Sequence, residues 1–338
     1  MQLNYEAKEP KSVKAQRIAR HSSQKKAKKR FRYKLKNWSE YNKSLIERGS
    51  LTVWLSEEVI EQWAYQGPRK RGGQMRYSDL AIQTALGFKH LFRLPLRQTE
   101  GFLRSLFQRM HLVLEAPDYS TLSRRQGGLV LDLPPKRGNG PLDVVVDSTG
   151  LKVYGEGEWK VRQHGWSKRR TWRKLHLALD AESQQIVAWK VTTNGVDDAA
   201  CVEPLLQEIE APVETFCGDG AYDKKKVYRS LARRKIAPLI PPRQDARISQ
   251  HGNSSQIPLA RDETLRAIRR QGRASWKRTS GYHRRSLGET AISRWKRTFG
   301  SLLASRTFPN QKVEGSLKCI LLNRMTHLGR PDSYKVAV

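Results

Sequence analysis

Apolar residues recur at three- and four-residue intervals from Leu51 to Gln126, then gather into short alternating or β-branched runs from Leu142 to Pro242. That change of period predicts a helical segment followed by a segment built on strands. In the first, Ser56 precedes EEVIEQWA and Ser78 precedes DLAIQTALGFKHLF. Pro95 then opens LRQTEGFLRSLFQRM, where Phe102, Leu103, Leu106, Phe107 and Met110 recur at helical spacing. Serine hydroxyls accept from first-turn amides and proline suits a first turn, so three helices are expected. A turn at Ala116-Pro117-Asp118 leads into YSTLSRRQ, with Ser120 as its expected cap. Helices joined by a tight turn, the last ending in Arg124 and Arg125, predict a helix-turn-helix that offers both arginines to nucleic acid. An ordinary all-α core carries the same pattern.

LPPKRGNGPL (133–142) breaks both helix and strand and is expected to be a linker. Beyond it, DVVVD (143–147), KLHLALD (174–180) and QIVAWKVTT (185–193) read as strands, the last two as a hairpin. AACVEPLLQEI (199–209) reads as a helix that tolerates Pro204 only in its first turns. TFCGD (215–219) is a strand, KKKVYRSLARRK (224–235) a basic amphipathic helix and APLIPP (237–242) a last short strand. Residues 243–281 are polar and basic without a clean period and are expected to form a basic loop. A final helix over SGYHRRSLGETAISRWKRTFG (280–300) completes the order β-β-β-α-β-α-β-α, which predicts a mixed α/β layout with helices on a central sheet.

Charge changes the picture from a fold to a partner. The 338 residues carry 64 Lys and Arg against 32 Asp and Glu, a formal charge of +32. Self-repulsion on that scale is costly unless a polyanion neutralises it, and nucleic acid is the polyanion of choice over an anionic membrane surface. From Lys25 to Lys36 eight of twelve positions are basic and none is acidic, so residues 1–50 are expected to be a partly disordered basic arm. No apolar stretch approaches the roughly 18–20 residues of a membrane span, and the N-terminus lacks a signal-peptide core. Cys201, Cys217 and Cys319 are odd in number and far apart, which argues for a reducing compartment and against a zinc cluster.

Glu289 is the only acid between Thr264 and Val313, a strongly basic stretch. On a helix, Tyr282, Arg285, Glu289 and Lys296 share one face, while Ala291, Trp295, Phe299 and Leu302 share the opposite one. A surface ion pair with Arg285 accounts for that placement without any chemistry, and so does a metal ligand facing a groove. Hard divalent cations take carboxylate oxygens, and rigid strand ends are where such ligands converge. Asp147 is expected to end DVVVD and Asp219 to end TFCGD, each before a glycine-containing turn. Turn capping is the alternative for both. Asp180 is expected at a hairpin tip, and Asp197, Asp198 and Asp223 as helix caps.

DSTGLKVYGEGEW, KRRTWRKLHLALD, GDGAYD and the spacing Tyr282, Arg285, Glu289, Lys296 together resemble the bacterial insertion-sequence transposases of the DDE class, specifically the "insertion sequence five" family with its Tyr-Arg-Glu-Lys signature. The resemblance covers about 140–300 strongly and the helical part more weakly. It implies an RNase H-like catalytic domain, 143–330, whose Asp147, Asp219 and Glu289 are the catalytic, metal-binding triad. It implies two Mg²⁺ ions per site with Mn²⁺ as substitute, cleavage at transposon ends, and joining of the 3′ ends to target DNA. Tyr282, Arg285 and Lys296 would then contact DNA. RQHGWSKRRTWRKLH (162–176), with Lys168, Arg169, Arg170, Arg173 and Lys174, is expected to grip its backbone.

The expected partners are double-stranded DNA, as terminal inverted repeats and target, and a second copy of the chain in the DNA complex, with no membrane. The expected location is the bacterial cytoplasm, on the nucleoid when DNA is bound. The expected domains are the arm 1–50, a helical DNA-binding domain 51–132, the linker 133–142 and the catalytic domain with its insertion 243–281. An RNase H-like nuclease that never joins strands and a non-catalytic DNA-binding protein are the alternatives.

Overall fold

The computed structural model describes residues 31–68, 71–131, 140–153, 171–250 and 258–337. Lys168, Arg169, Arg170 and most of the 133–142 linker therefore lie outside the described residues. The described residues form two compact units, one from 31–46 together with 329–337, the other within Glu47–Leu328. In the smaller unit, strand β1 (Phe31–Leu35) pairs antiparallel with the last strand, β8 (Ser333–Ala337), and helix α1 (Trp38–Glu47) follows β1. Asn37 ties the two segments, donating to Arg330 O at 3.0 Å and accepting from Asp332 N at 2.8 Å. The end of the expected basic arm is thus ordered. Phe31, Tyr33 and Leu35 alternate with cations, a strand period that charge counting hides.

The larger unit opens with helices α2 (Leu51–Trp54), α3 (Glu57–Glu61), α4 (Asp79–Leu91), α5 (Leu96–Arg109) and α6 (Tyr119–Gln126). Ser78 caps α4 as expected, accepting from Ala81 N at 3.0 Å, whereas the Ser56 side chain makes no capping bond. At α6 the cap is Asp118 and not Ser120. Its carboxylate accepts from the amides of Ser120 and Thr121 at 2.9 Å and from both hydroxyls. A carboxylate with two oxygens satisfies more first-turn donors than a hydroxyl can. Arg125 turns inward and donates to Tyr77 O and to Asp79 at the start of α4, while Arg124 stays exposed.

The sheet contains β2 (Leu142–Val153), β3 (Trp172–Asp180), β4 (Ile186–Thr193), β5 (Val213–Cys217) and β6 (Ala237–Leu239) in the order β4-β3-β2-β5-β6. β2, β3 and β4 are antiparallel neighbours, and β5 and β6 run parallel to β2, an RNase H-like arrangement. Helices α7 (Val202–Gln207) and α8 (Lys225–Arg233) cover one face, packing Val202, Leu205 and Leu231 with Val144, Val146 and Ala178. Asp180 closes the β3–β4 hairpin as expected, accepting from Ser183 N at 2.9 Å.

Residues 243–281 are not simply a loop. They hold helices α9 (Ala260–Gln271) and α10 (Arg273–Thr279), anchored by buried Leu265 and Trp276. Arg261 Nε donates to the buried Asp223 at 2.6 Å, so Asp223 serves as an ion-pair partner and not as a cap. Asp197 and Asp198 likewise take lysines, Lys224 and Lys174, in place of helix amides. Dense surface arginine masks the period of α9 and α10.

The other sheet face carries α11 (Ser286–Phe299) and α12 (Phe308–Leu328), with a short strand β7 (Leu302–Leu303) between them. Ala291, Trp295 and Phe299 are buried as expected, but Leu302 belongs to β7 and is exposed. One core runs from Trp54 and Phe88 through Leu175 and Leu177 to Trp295 and Leu322, so the helices before the linker and the sheet after it share it. Residues 133–142 therefore do not separate two compact units, because α4 buries Ala81, Ile82, Ala85, Leu86 and Phe88 in that common core.

α11 meets β2 at Gly288, where an added Cβ would lie 2.9 Å from Asp147 Cβ and 3.5 Å from Val145 Cγ1. Gly288→Ala is expected to lower stability by about 1–3 kcal/mol in thermal melts, overriding the ~1 kcal/mol that alanine gains over glycine in a helix.

Below β7, fully buried Glu314 accepts from Ala304 N at 2.9 Å, Ser305 N at 2.8 Å and Lys318 Nζ at 2.7 Å, and Lys318 donates on to Leu302 O at 3.1 Å. Burial alone would raise the Glu314 pKa, but Lys318, His90 and Lys89 outweigh it and hold the carboxyl well below its usual range. That depressed value makes the pair stabilising above the unfolded pKa of about 4.3 and progressively weaker as pH falls. Glu314→Ala, which strands Lys318, is expected to cost about 3–5 kcal/mol at pH 7. Glu314→Gln is expected to flatten the acid side of the stability curve measured by urea unfolding between pH 3 and 7.

Candidate active site

Register brings the two aspartates together. β5 pairs with β2 through Val144–Phe216 and Val145–Cys217, an offset of 72 residues, and Asp147 is separated from Asp219 by the same interval. β5 stops at Cys217, and Asp219 enters a 3-10 turn (Gly220–Tyr222), its Oδ1 accepting from Ala221 N at 2.9 Å. Asp147 does not end its strand, contrary to expectation, because β2 continues to Val153 paired with β3. On the β5 side, however, among the described residues β2 has no strand partner between Val145 and Lys152, where β7 takes over. Asp147 therefore opens into a gap in the sheet, and α11 borders it.

A 3-10 turn, Tyr282–Arg285, leads into α11. An open cleft of about 720 Å³ is lined by Asp147, Ser148, Arg285, Glu289, Lys296 and Arg297, among others. Of the residues singled out in the sequence, Asp147, Glu289, Arg285 and Lys296 share this cleft. Asp219 adjoins it through Arg285, whose Nη2 lies 3.9 Å from the Asp219 carboxylate while Nη1 donates to Glu289. Tyr282 does not line it. Its ring packs on Trp276 at 5.8 Å between centroids, Lys277 sits over it, and burial pushes its hydroxyl up to about 12.

The electrostatics is that of acids crowded around one cation. Burial raises the Asp147 pKa, and the charges of Asp219 and Glu289 add to the rise against the Ser148 amide and Arg285. Burial works against the Arg285 charge, but Glu289 and Asp147 outweigh it and leave the guanidinium more firmly protonated than usual. Its Nε is buried with no acceptor among the described residues. Three carboxylates are hard oxygen donors of the kind a divalent cation takes, and their mutual repulsion is relieved by positive charge, so the donor set suits such an ion. Among the described residues no three Asp, Glu, His or Cys side chains are already gathered as a metal cluster, and Glu289 is held by Arg285.

The remaining basic candidates are engaged elsewhere. Arg173 donates to Gln311 at 2.7 Å and stacks over Phe308, and Lys174 donates to Val196 O and Asp198. Arg124 is exposed and, among the described residues, bonds only Ser120, on its own helix. Sequence reasoning missed two cleft residues, Arg297 and Arg93. Arg297 lies on α11 and was within reach of the helical projection. Arg93 lies in FRLP between two helices, more than 190 residues from Arg285, with no pattern to betray it.

Among the described residues no helix is long and apolar enough to cross a membrane, and all three cysteines are free and buried. A solved structure, the cryo-EM structure of piggyBac transposase synaptic complex with hairpin DNA, aligns at 10% identity over 83% of this chain and 73% of that one, with a TM-score of 0.36. That likeness is too distant to carry weight. Two family descriptions match much more directly, both reading "Transposase DDE domain", over residues 46–156 and 138–324. The second spans more than half of the chain and includes Asp147, Asp219 and Glu289. Such domains indicate a metal-dependent enzyme that cuts and joins DNA. The chain belongs to the DDE transposases.

Proposed function

We propose that this transposase binds the terminal inverted repeats of an insertion sequence, hydrolyses the phosphodiester at each end and joins the freed 3′ ends to target DNA by in-line transesterification. The observation that carries it is the meeting of Asp147, Glu289 and the Arg285–Asp219 contact at one basic cleft in a chain of charge +32. The Tyr282–Lys296 spacing supports placement in the "insertion sequence five" family. Asp147, Asp219 and Glu289 would hold Mg²⁺, two ions per site, with Mn²⁺ as substitute. When bound, these ions activate the attacking oxygen and stabilise the leaving one.

The chain's own residues do the rest. With a metal held at Glu289, Arg285 would be released from its bond to that carboxylate, and its guanidinium could take a phosphate oxygen in a bidentate grip. Lys296 holds the same strand further along α11. Two ends must be handled together, so the working complex is a homodimer on double-stranded DNA. Arg124 remains a surface candidate for backbone contact. Arg125, Arg173 and Lys174 keep their intramolecular partners, and their part in DNA binding is through the surfaces they hold in place.

Asp147→Asn, Asp219→Asn or Glu289→Gln is expected to slow end cleavage by a factor on the order of 10³ or more, with DNA affinity retained. Cleavage is scored on an end-labelled duplex with Mg²⁺ and with EDTA. Joining is scored by incubating a pre-cleaved end with plasmid, and cleavage without joining would reduce the assignment to a nuclease.

Stability gives an independent check. A raised aspartate pKa means that its ionised form costs the fold stability above that pKa, a cost absent once pH falls below the unfolded value of about 3.9. Asp147→Asn is therefore expected to melt higher than the parent at pH 7 without metal, with the gap closing towards pH 4. Added Mg²⁺ is expected to raise the melting temperature of the parent and not that of the variant.

A further inference from the structure

Arg93 enters the catalytic cleft from the helical segment, far in sequence from every other residue there. It lies between α4 and Pro95, which precedes α5, and its backbone is left-handed with φ 55°. The same left-handed closing turn follows the helices that end at Arg109 and Arg233, at His111 and Lys235. Its Nη2 donates to Arg297 O and Thr298 O, both at 3.0 Å, at the C-terminal end of α11. The last carbonyls of a helix bear partial negative charge, so these bonds hold the guanidinium still without neutralising it. Among the described residues Nε and Nη1 have no protein acceptor, and no carboxylate pairs with the side chain.

The result is a fixed, exposed and uncompensated fork beside Lys296 and Arg297 in the cleft that also contains Asp147 and Glu289. From Ser286 to Lys296 α11 rises about 15 Å, enough to follow several successive phosphates of a strand. We propose that Arg93 binds a backbone phosphate of the DNA strand lying in this cleft, several nucleotides from the bond that is cut. The helical segment thereby contributes directly to the substrate groove, and not only to the core. The inference rests on the assignment of the cleft as the site of DNA cleavage.

The test compares the full-length parent, Arg93→Gly and Arg93→Lys on one end-sequence duplex. Glycine relaxes the left-handed backbone while removing two exposed hydrogen bonds, so its melting temperature is expected within about 2 °C of the parent. Its log–log salt dependence of binding is expected to be shallower by about 0.9, one phosphate contact, and its Mg²⁺-dependent cleavage at least tenfold slower. Lysine is expected to restore the salt slope. A glycine variant with the parental slope and cleavage rate overturns the proposal. So does one that melts many degrees lower and whose slope lysine fails to restore, since Arg93 would then only cap α11. An inert parent would instead overturn the assignment of the cleft, and the salt slopes would still decide Arg93.

Discussion

The contact that the rest of the site depends on is the approach of α11 to β2 at Gly288. Val145 and Asp147 project from the same side of β2, and the absence of a side chain at position 288 lets the helix backbone settle against both. With Ala291, Trp295 and Phe299 locked in the core below, the rotation of α11 about its axis is no longer free. The polar face then has one direction to point. Arg285 and Glu289, one turn apart, come to the mouth of the sheet gap opened by the end of β5. A larger residue at 288 would lift the helix and turn those side chains together, so the glycine that weakens the helix is what aims it.

The far end of α11 is fixed by different means. Gly300, at φ 81°, ends the helix, and the chain drops at once into register with β2 as Ser301 O accepts from Lys152 N at 3.0 Å. Glu314 and Lys318 hold the following residues from beneath through Ala304 N, Ser305 N and Leu302 O. A buried ion pair is an expensive anchor, tolerable here because both Glu314 oxygens accept loop amides and Lys318 also donates to a loop carbonyl. Asn323 plays the same part at β4, accepting from Ile186 N at 2.8 Å and donating to Ile186 O at 2.7 Å.

These anchors explain what the sequence disclosed and what it concealed. The strands of the sheet were legible because DVVVD is a β-branched run and KLHLALD alternates, and the face of α11 because its apolar stripe is clean. The long helix α12 was not, since Gln311, Glu314, Lys318, Asn323 and Thr326 are buried in it and blur any stripe. Helices α9 and α10 were hidden by arginines whose partners, such as Asp223 for Arg261, lie far away in sequence. The extent of β2 past Asp147 was concealed for a related reason. Ser-Thr-Gly reads locally as a turn, but pairing with Leu175 and Lys174 of β3 overrides that preference. Long-range pairing decided each of these.

A single glutamate within so basic a stretch has a further consequence. Arg285 faces Glu289, Asp147 and Asp219 at once, and their combined pull holds it charged despite burial. As long as the guanidinium stays among them, the carboxylates have a counter-ion against the repulsion that adds to burial in raising the Asp147 pKa. A divalent ion held by these carboxylates would supply that counter-charge and leave Arg285 free for a phosphate. On the function proposed above, the same side chain would serve two anions in turn, first the carboxylates and then the substrate. Glu289, four residues further on in the first turn of α11, would be the residue best placed to release it.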